Sequence, residues 1–492
     1  MRNILNKLVA RVISVKRIEY YLLALILVGG FIVRLYKIDN PIADWHSFRQ
    51  ADTAAVARLY VENGVNILYP RYYDLSSTQS RILNPEGYRY VEFPLYNAIH
   101  AVLAKNIGVV SFEVWGRLVS IIFTLGSGFI LYFLGARFMN KWGGVLASFF
   151  FLFLPFNIYF TRVILPEPTA IFFGLLGIWL FILFIDKDKA HFLYLSGVSI
   201  ALGLLVKPFI IFYTIPLIYL ISKKYSFRKI FQNPKLLIKL LIFVDIILVP
   251  FFVWRAWISK FPAGIPGWSW MFNGDGIRLK PAFFRWIFGE RLTKLILGFW
   301  GIIIFVFGLL KPKKDLFTHA FLLGMLIYVV VFATANVRHD YYQAIAIPAI
   351  SLTLAEGLIY LWNSRDFPLV ATRSVAIFSI LIMFTTGASE VREFYKVNHP
   401  EIMEAGAAVD RLTPKDAIVI APYNGDTAFL YQTKRRGWPV IDSSVDEIIQ
   451  KGADYYVTVS LNDPDTLDVI ARFEVVEKTN TYLIADLHKP IK

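Results

Sequence analysis

The 492-residue chain contains no cysteine and few charged residues. The absence of cysteine excludes disulfide bonds, zinc sites with thiolate ligands and a catalytic thiol. Only 18% of the residues are charged and 57% are hydrophobic, whereas soluble domains average about 25% and about 45–50%. Because the mean hydropathy is +0.54 and the apolar residues form long runs, the composition predicts a polytopic helical membrane protein.

The formal net charge is +15, but the basic residues are not gathered on one face as in nucleic-acid-binding proteins. They occur in short patches between apolar runs, where the excess of Lys and Arg in cytoplasmic loops accounts for them. We therefore expect no nucleic-acid partner. No glycine-rich phosphate loop is present, and the sequence shows no soluble nucleotide site.

Windows of about 20 residues predict about eleven transmembrane helices. The predicted spans are residues 20–37, 117–136, 143–163, 168–185, 191–206, 208–222, 236–254, 295–310, 317–335, 344–362 and 370–388. The pair on either side of Lys207 and Pro208 can also be one broken helix. The basic N-terminal flank is followed by an apolar run without a small-residue cleavage site, which predicts an uncleaved first span and a cytoplasmic N-terminus.

Loop charge gives the predicted sidedness. The loops "ARFMNKW", "DKDKAH", "KKYSFRKIFQNPKLLIK" and "LKPKKDLF" carry Lys/Arg clusters, and "NSRDF" carries one arginine, so all five are expected to be cytoplasmic. Residues 38–116, residues 255–294 and the region after about 390 then lie outside.

Two of the outer regions are expected to be folded. In the first loop, "ADTAAVARLYVENG" and "FPLYNAIHAVLAKNIG" predict amphipathic helices in the interface plane, and Asp52 is expected to cap the first of them. After residue 390, strand-like and helical segments alternate, which predicts a small α/β domain without a catalytic role. The fold class is mainly α, with a transmembrane domain over 1–390 and an extracytoplasmic α/β domain over 391–492.

Ionisable residues near the outer ends of the spans are candidate functional groups, because charge at membrane depth is costly and usually faces an internal cavity. The candidates are Asp44, His46, Arg49, Glu92, Glu167, Lys207, Arg338, His339, Tyr341 and Tyr342.

Structural roles are also open for these residues. Asp44 can be a solvated loop acid or a helix N-cap, and Glu167 can cap the helix that follows it. Lys207 can extend to the headgroups, one of the two tyrosines can belong to the aromatic belt, and His46 can simply be packed. Their occurrence at one membrane face favours a common site.

The residue types indicate a chemistry. Arg, His, Tyr and Lys at headgroup level can hold a phosphate, and a nearby carboxylate can accept the proton of an attacking hydroxyl. Both suit transfer of a group carried on a lipid phosphate. A lipid flippase or transporter is the alternative, and a membrane anchor for the C-terminal domain is a third interpretation. Asp44, His46, Glu92 and Glu167 can also assemble a divalent-cation site, although no ligand spacing requires one, so the cofactor is unknown.

The order of these motifs resembles the GT-C fold glycosyltransferases that use lipid-phosphate-linked sugars. More narrowly it resembles family 39, which includes protein O-mannosyltransferases and the aminoarabinose transferase acting on lipid A. The resemblance rests on an acid after the first span, "EFPLY", "LPEPTAIFF", a Lys-Pro pair and "HDYY…P", and it covers residues 1–390. The family's second acid after the first span is absent here, because Trp45 and His46 follow Asp44. Phe93 stands here where the family has a lysine after the acid. Arg49, Arg89 or Lys207 can supply the missing positive charge.

The resemblance implies inverting transfer of a sugar from a polyprenyl-phosphate donor, such as undecaprenyl phosphate, at the outer side of a prokaryotic cytoplasmic membrane. Asp44 is the expected base, and Glu92 and Glu167 match acids of the family's motifs. Lys207, Arg338 and His339 are expected to steady the lipid phosphate, with Tyr342 in the same region. The acceptor can be a glycan, a lipid or a protein.

Overall fold

The computed structural model describes residues 17–311, 315–364 and 366–491. The basic N-terminal flank used to orient the first span, residues 1–16, lies outside the described residues. The same holds for residues 312–314 and 365 of two basic loops.

The part of the chain before residue 396 is almost entirely helical. Its helices are Ile18–Arg34, Ser47–Asn63, Leu95–Asn106, Phe112–Phe138, Lys141–Phe153, Pro155–Phe160, Glu167–Lys187, Ala190–Val206, Ile215–Lys224, Phe227–Gln232, Pro234–Ile258, Trp270–Asn273, Pro281–Phe284, Gly301–Leu310, Phe317–Val331, Ala333–Arg338, Ile347–Asn363 and Leu369–Val391. The 3-10 turns Pro208–Thr214, Pro262–Gly264, Asp340–Ala346 and Arg392–Tyr395 and the π-helix Arg285–Ile296 connect some of them.

Each of the eleven predicted spans overlaps a helix, but the number of spans is not confirmed. Among the described residues, five helices are long and apolar enough to cross a membrane, or six if the pair Pro281–Ile296 and Gly301–Leu310 counts as one span bent by 116°. Three further apolar helices are shorter: Lys141–Phe153, Ala190–Val206 and Phe317–Val331.

Proline explains two of the short helices. Helix Ala190–Val206 ends at Lys207, since Pro208 has no N–H to continue the ladder and disfavours helical geometry in the residue before it. In the same way Pro155 starts a new short helix after Lys141–Phe153 and divides that predicted span. Such breaks place polar side chains and irregular backbone inside the bundle, where they can line a site.

The first outer loop contains both predicted helices, but Ser47–Asn63 is not an amphipathic surface helix. Every residue from Arg49 to Tyr60 except Arg58 is buried, and the helix packs between Leu95–Asn106 and a helix near the C-terminus. Its alanine-rich sequence permits close packing on all sides. The apolar stripe in the sequence therefore did not mean that the other faces of the helix are exposed. Asp52 lies inside this helix and does not cap it.

The C-terminal region folds as predicted into a small α/β unit. Its strands are β1 (Ile418–Ile420), β2 (Arg436–Trp438), β3 (Tyr455–Thr458), β4 (Phe473–Lys478) and β5 (Leu483–Pro490), in the order β2-β1-β3-β5-β4. Helices Glu401–Leu412, Thr427–Thr433, Val445–Gln450 and Pro464–Arg472 pack with them. β2, β1 and β3 are parallel, whereas β5 runs antiparallel to β3 and β4. The boundary at residue 390 stays a prediction.

The C-terminal unit is joined to the first outer loop. Gly437 of β2 donates to the carbonyl of Tyr73 at 2.9 Å, and the N–H of Leu75 donates to the carbonyl of Gly437 at 2.8 Å. One apolar core includes Ala54 of the loop helix and Phe429 of the C-terminal unit. The loop and the C-terminal unit therefore form one packed layer.

Candidate active site

Two buried arginines fix the segment that follows the first helix. Arg162 donates to the carbonyl of Lys37 at 2.7 Å, and Arg117 donates to the carbonyl of Ile38. Both side chains are fully buried. A buried guanidinium requires acceptors, so these contacts fix the chain just before Asp44.

Asp44 lies at the end of this segment with its side chain fully buried. One carboxylate oxygen accepts from the amide of Gln50 at 2.6 Å, and the other lies 3.3 Å from Arg162. Burial raises the pKa of Asp44, and the nearby Arg117 and Arg162 partly offset that increase. The carboxylate is neither a solvated loop acid nor a helix N-cap.

His46 has a left-handed backbone with φ of +54°, which is uncommon for a residue other than glycine. This conformation turns the chain into helix Ser47–Asn63. The imidazole Nε2 lies 2.6 Å from Oδ1 of Asp340, and the indole N–H of Trp45 donates to the other oxygen of Asp340 at 3.1 Å. Asp340 was visible in "VRHDYYQ" but was not among the predicted site residues.

Aromatic rings surround the imidazole. The ring of His46 lies 5.1 Å from that of Tyr341 and 5.8 Å from that of His339, and Tyr341 lies 4.4 Å from Tyr342. The structure thus brings four predicted site residues into one group, although they come from opposite ends of the membrane part.

A second group forms around Lys207, which is buried and does not extend to the headgroups. Its ammonium lies 2.7 Å from Glu92 and 2.7 Å from Glu167, and Arg49 also pairs with Glu92. Glu167 is the first residue of its helix but its side chain does not cap it. Burial alone would raise the pKa of Glu92, but Arg49 and Lys207 lower it to about 2.

Arg338 is separate from both groups. Its side chain is 56% exposed, and the guanidinium pairs with Asp275, with Nε 2.8 Å from the carboxylate. The structure therefore does not bring Lys207, Arg338 and His339 into one cationic cluster.

The proposed cation ligands also have other partners here. Asp44 pairs with Arg162, and both Glu92 and Glu167 pair with Lys207. Within the described parts of the chain, no three His, Asp or Glu side chains are grouped so as to hold a metal ion.

A cavity of about 500 Å³ lies beside the loop of Asp44 and His46. The opposite wall comes from the C-terminal unit and includes His399, Tyr423 and Asp426. The C-terminal unit was predicted to have no catalytic role, and no local motif connects residues so distant in the chain with the first loop. The buried Arg117 and Arg162 did carry a signal, because each is a charge at the edge of a predicted span.

Comparison with known protein families gives a match within the membrane part of the chain. Residues 93–254 match the family described as dolichyl-phosphate-mannose-protein mannosyltransferase. The segment contains Glu167 and Lys207. No curated protein matches the chain by sequence.

Solved structures of membrane glycosyltransferases share the fold. ArnT from Cupriavidus metallidurans bound to undecaprenyl phosphate is 11% identical with a TM-score of 0.62, and the match covers 94% of this chain and 97% of ArnT. The oligosaccharyltransferase AglB from Archaeoglobus fulgidus, in complex with an inhibitory peptide and a dolichol-phosphate, is 11% identical with a TM-score of 0.54. The match covers 96% of this chain and 74% of AglB. The arabinofuranosyltransferase AftD from Mycobacteria is 12% identical with a TM-score of 0.55. The match covers 94% of this chain and 41% of AftD.

These findings confirm the resemblance predicted from the sequence. The chain has the fold of the GT-C glycosyltransferases, with several apolar helices and a small sheet, and it is an integral membrane protein. The family match and the shared fold support the prediction of a glycosyltransferase that uses a lipid-phosphate-linked sugar.

Proposed function

We propose that the chain transfers a sugar from a polyprenyl phosphate to an acceptor hydroxyl or amine, with inversion, at the outer face of a prokaryotic cytoplasmic membrane. The observation that carries this proposal is the cavity lined by Asp44 and His46, with the rings of Tyr341 and His339 packed around the imidazole of His46. The buried ion pairs of Lys207 form a second charged group in the same membrane part. The fold shared with ArnT, whose structure holds undecaprenyl phosphate, supports the choice of donor.

Asp44 is the proton acceptor in this proposal. A buried carboxylate with a raised pKa is a stronger base than an exposed one, and Arg117 and Arg162 favour its charged form. The carboxylate lies behind the cavity wall, so an acceptor reaches it only if the 3.3 Å contact with Arg162 opens. Acceptor binding would provide that opening.

The departing phosphate needs positioning and positive charge more than covalent help. Lys207 and Arg49 are the cations we assign to it, because both lie in the buried group and Arg338 is paired at the surface. In the arrangement described, Glu92 and Glu167 balance these two cations. A lipid phosphate would therefore compete with Glu92 for Arg49 and Lys207. Tyr342 lies within electrostatic range of both cations, and the ring of His339 lies 6.1 Å from that of Tyr342.

The orientation follows from loop charge. Basic loops on one side favour a cytoplasmic N-terminus, and in this proposal the cavity with the C-terminal unit lies outside. A glycan, a lipid or a protein can present the acceptor group there.

The test uses purified protein in detergent with radiolabelled undecaprenyl-phosphate sugars and a membrane extract as the source of acceptor. Release of undecaprenyl phosphate with labelled product is expected, and Asp44→Asn is expected to lower the rate about 100-fold or more. Asp39→Asn, an exposed acid in the same segment, is the matched control. Equal rates for Asp44→Asn and the control would show that Asp44 is not the base. Turnover only in sealed vesicles would favour the flippase alternative.

A further inference from the structure

A second cavity, of about 450 Å³, has a basic wall. It lies between the end of helix Ser47–Asn63, the loop after it and strand β2. Its wall includes the guanidinium groups of Arg71 and Arg436 and the rings of Tyr60, Tyr69 and Tyr88, with Asn63 and Asn66, and none of the lining residues is acidic. None of these residues lines the cavity next to Asp44.

The two arginines are close enough to repel each other. Burial lowers the pKa of Arg436, and the charge of Arg71 lowers it further. Arg436 donates to the carbonyl of Pro85 at 3.0 Å, while its Nε is buried and has no hydrogen-bond partner. Glu86 pairs with Arg71, and both side chains are about half exposed. One carboxylate for two guanidinium groups leaves the wall with excess positive charge.

The surroundings of this cavity are those of a membrane surface. The ring of Tyr69 lies 5.6 Å from Trp257, in the last turn of the candidate span Pro234–Ile258, and the indole of Trp257 donates to the carbonyl of Leu68 at 3.0 Å. Ile67 and Leu68, beside the cavity, are exposed apolar side chains. Tryptophan at the end of a span and exposed apolar residues beside arginines are typical of the headgroup region.

We propose that this cavity binds the phosphate headgroup of an anionic membrane lipid between Arg71 and Arg436. Paired guanidinium groups suit phosphate oxygens, since charge-assisted hydrogen bonds can form from both sides. In this proposal the tyrosine rings pack on the glycerol region, and Ile67 and Leu68 contact the acyl chains. The proposal does not depend on the transferase activity.

The test measures lipid binding to the delipidated full chain by native mass spectrometry. Phosphatidylglycerol is titrated against phosphatidylcholine for the wild type, Arg71→Gln/Arg436→Gln and Arg71→Lys/Arg436→Lys. We expect phosphatidylglycerol to bind the wild type preferentially and the glutamine variant to lose about tenfold in affinity per arginine. The lysine variant should retain part of the preference, and unchanged melting temperatures establish that the variants fold.

The matched control is Arg411→Gln/Arg472→Gln, which removes two exposed, ion-paired charges from the same C-terminal unit. An equal loss of affinity in this control would overturn the proposal, because lipid binding would then depend only on the overall charge of the protein. No loss of affinity in the site variant would overturn it as well. A third titration uses inorganic phosphate. If phosphate binding depends on Arg71 and Arg436 but phosphatidylglycerol shows no preference over phosphatidylcholine, the site binds a soluble phosphate group and the lipid proposal is wrong.

Discussion

The imidazole Nε2 of His46 lies 2.6 Å from the carboxylate of Asp340, so the first outer loop is connected to the start of the Asp340–Asn363 segment. The same carboxylate accepts from Trp45 at 3.1 Å and lies 3.8 Å from Arg291. Two side chains of the loop, His46 and Trp45, contact this buried carboxylate and hold the loop in a single orientation, and Arg291 adds a nearby positive charge. This contact therefore positions both His46 and, two residues before it, Asp44.

Replacing the carboxylate of Asp340 tests this connection. Asp340→Asn keeps the shape but removes the charge that orients His46, and hydrogen bonds to charged groups contribute about 1.5–3 kcal/mol. We expect kcat to fall roughly 10- to 100-fold, with little change in the KM for the lipid donor. Asp275→Asn, which removes the exposed partner of Arg338, is the control.

The pH profile separates a positioning role from a structural one. If Asp340 acts by orienting His46, Asp340→Asn should alter the pH dependence of kcat as well as its size. A fall in expression or melting temperature with an unchanged profile would instead show that the contact only stabilises the loop.

The raised pKa of Asp44 predicts an acidic limit to activity. A base works only when it is deprotonated, so the rate should fall as the pH drops through the pKa of Asp44. Because burial raises that pKa, the fall should begin at a higher pH than for an ordinary aspartate. The measurement is kcat/KM from pH 4 to pH 8 for the wild type and Asp44→Glu. A rate that stays constant down to the ordinary aspartate range would contradict Asp44 as the base.

Lys207 predicts a stability effect. Replacing it by methionine leaves Glu92 and Glu167 buried without their shared cation, and removal of one partner from a buried pair costs about 3–5 kcal/mol. We expect a large fall in the thermal unfolding temperature of Lys207→Met in detergent. The exposed Lys260→Met should have little effect. Adding Glu167→Gln to Lys207→Met should recover part of the loss, and no recovery would show that the pairing with Glu167 is not the cause.

The sequence could indicate the candidate site because its charges interrupt apolar runs. Lys207 and Glu167 were selected near the ends of such runs and Glu92 in the outer loop motif "EFPLY", and the structure joins all three. It could not show that Arg338 pairs with Asp275, since the two residues lie 63 positions apart in the chain. Which charges form ion pairs depends on the folded structure and cannot be predicted from the order of residues in the chain.

The fold was also predictable only in part. Hydrophobic runs predicted the positions of the helices, but where helices end within a run depended on residues such as Pro155 and Pro208. The α/β character of the C-terminal unit followed from alternating patterns, whereas its attachment to the first loop did not. Backbone contacts such as that between Gly437 and Tyr73 leave no side-chain pattern to detect.

Gly437 provides a test of that attachment. A Cβ atom built on Gly437 would lie 1.7 Å from the carbonyl oxygen of Val419 in the neighbouring strand β1. Gly437→Ala must therefore push β2 away from β1, and it also disturbs the hydrogen bonds with Tyr73 and Leu75. Overpacking typically costs about 1–3 kcal/mol, and we expect the upper end because the obstacle is backbone.

The expected result is faster proteolysis of the C-terminal unit and a lower unfolding temperature for Gly437→Ala. Gly108→Ala is the control, because a Cβ there meets no atom within 4 Å. Transfer activity should fall together with the proteolytic stability, since β2 joins the first outer loop to the C-terminal unit, which forms one wall of the cavity. If the unit loosens but transfer continues at the wild-type rate, the C-terminal wall does not contribute to the site.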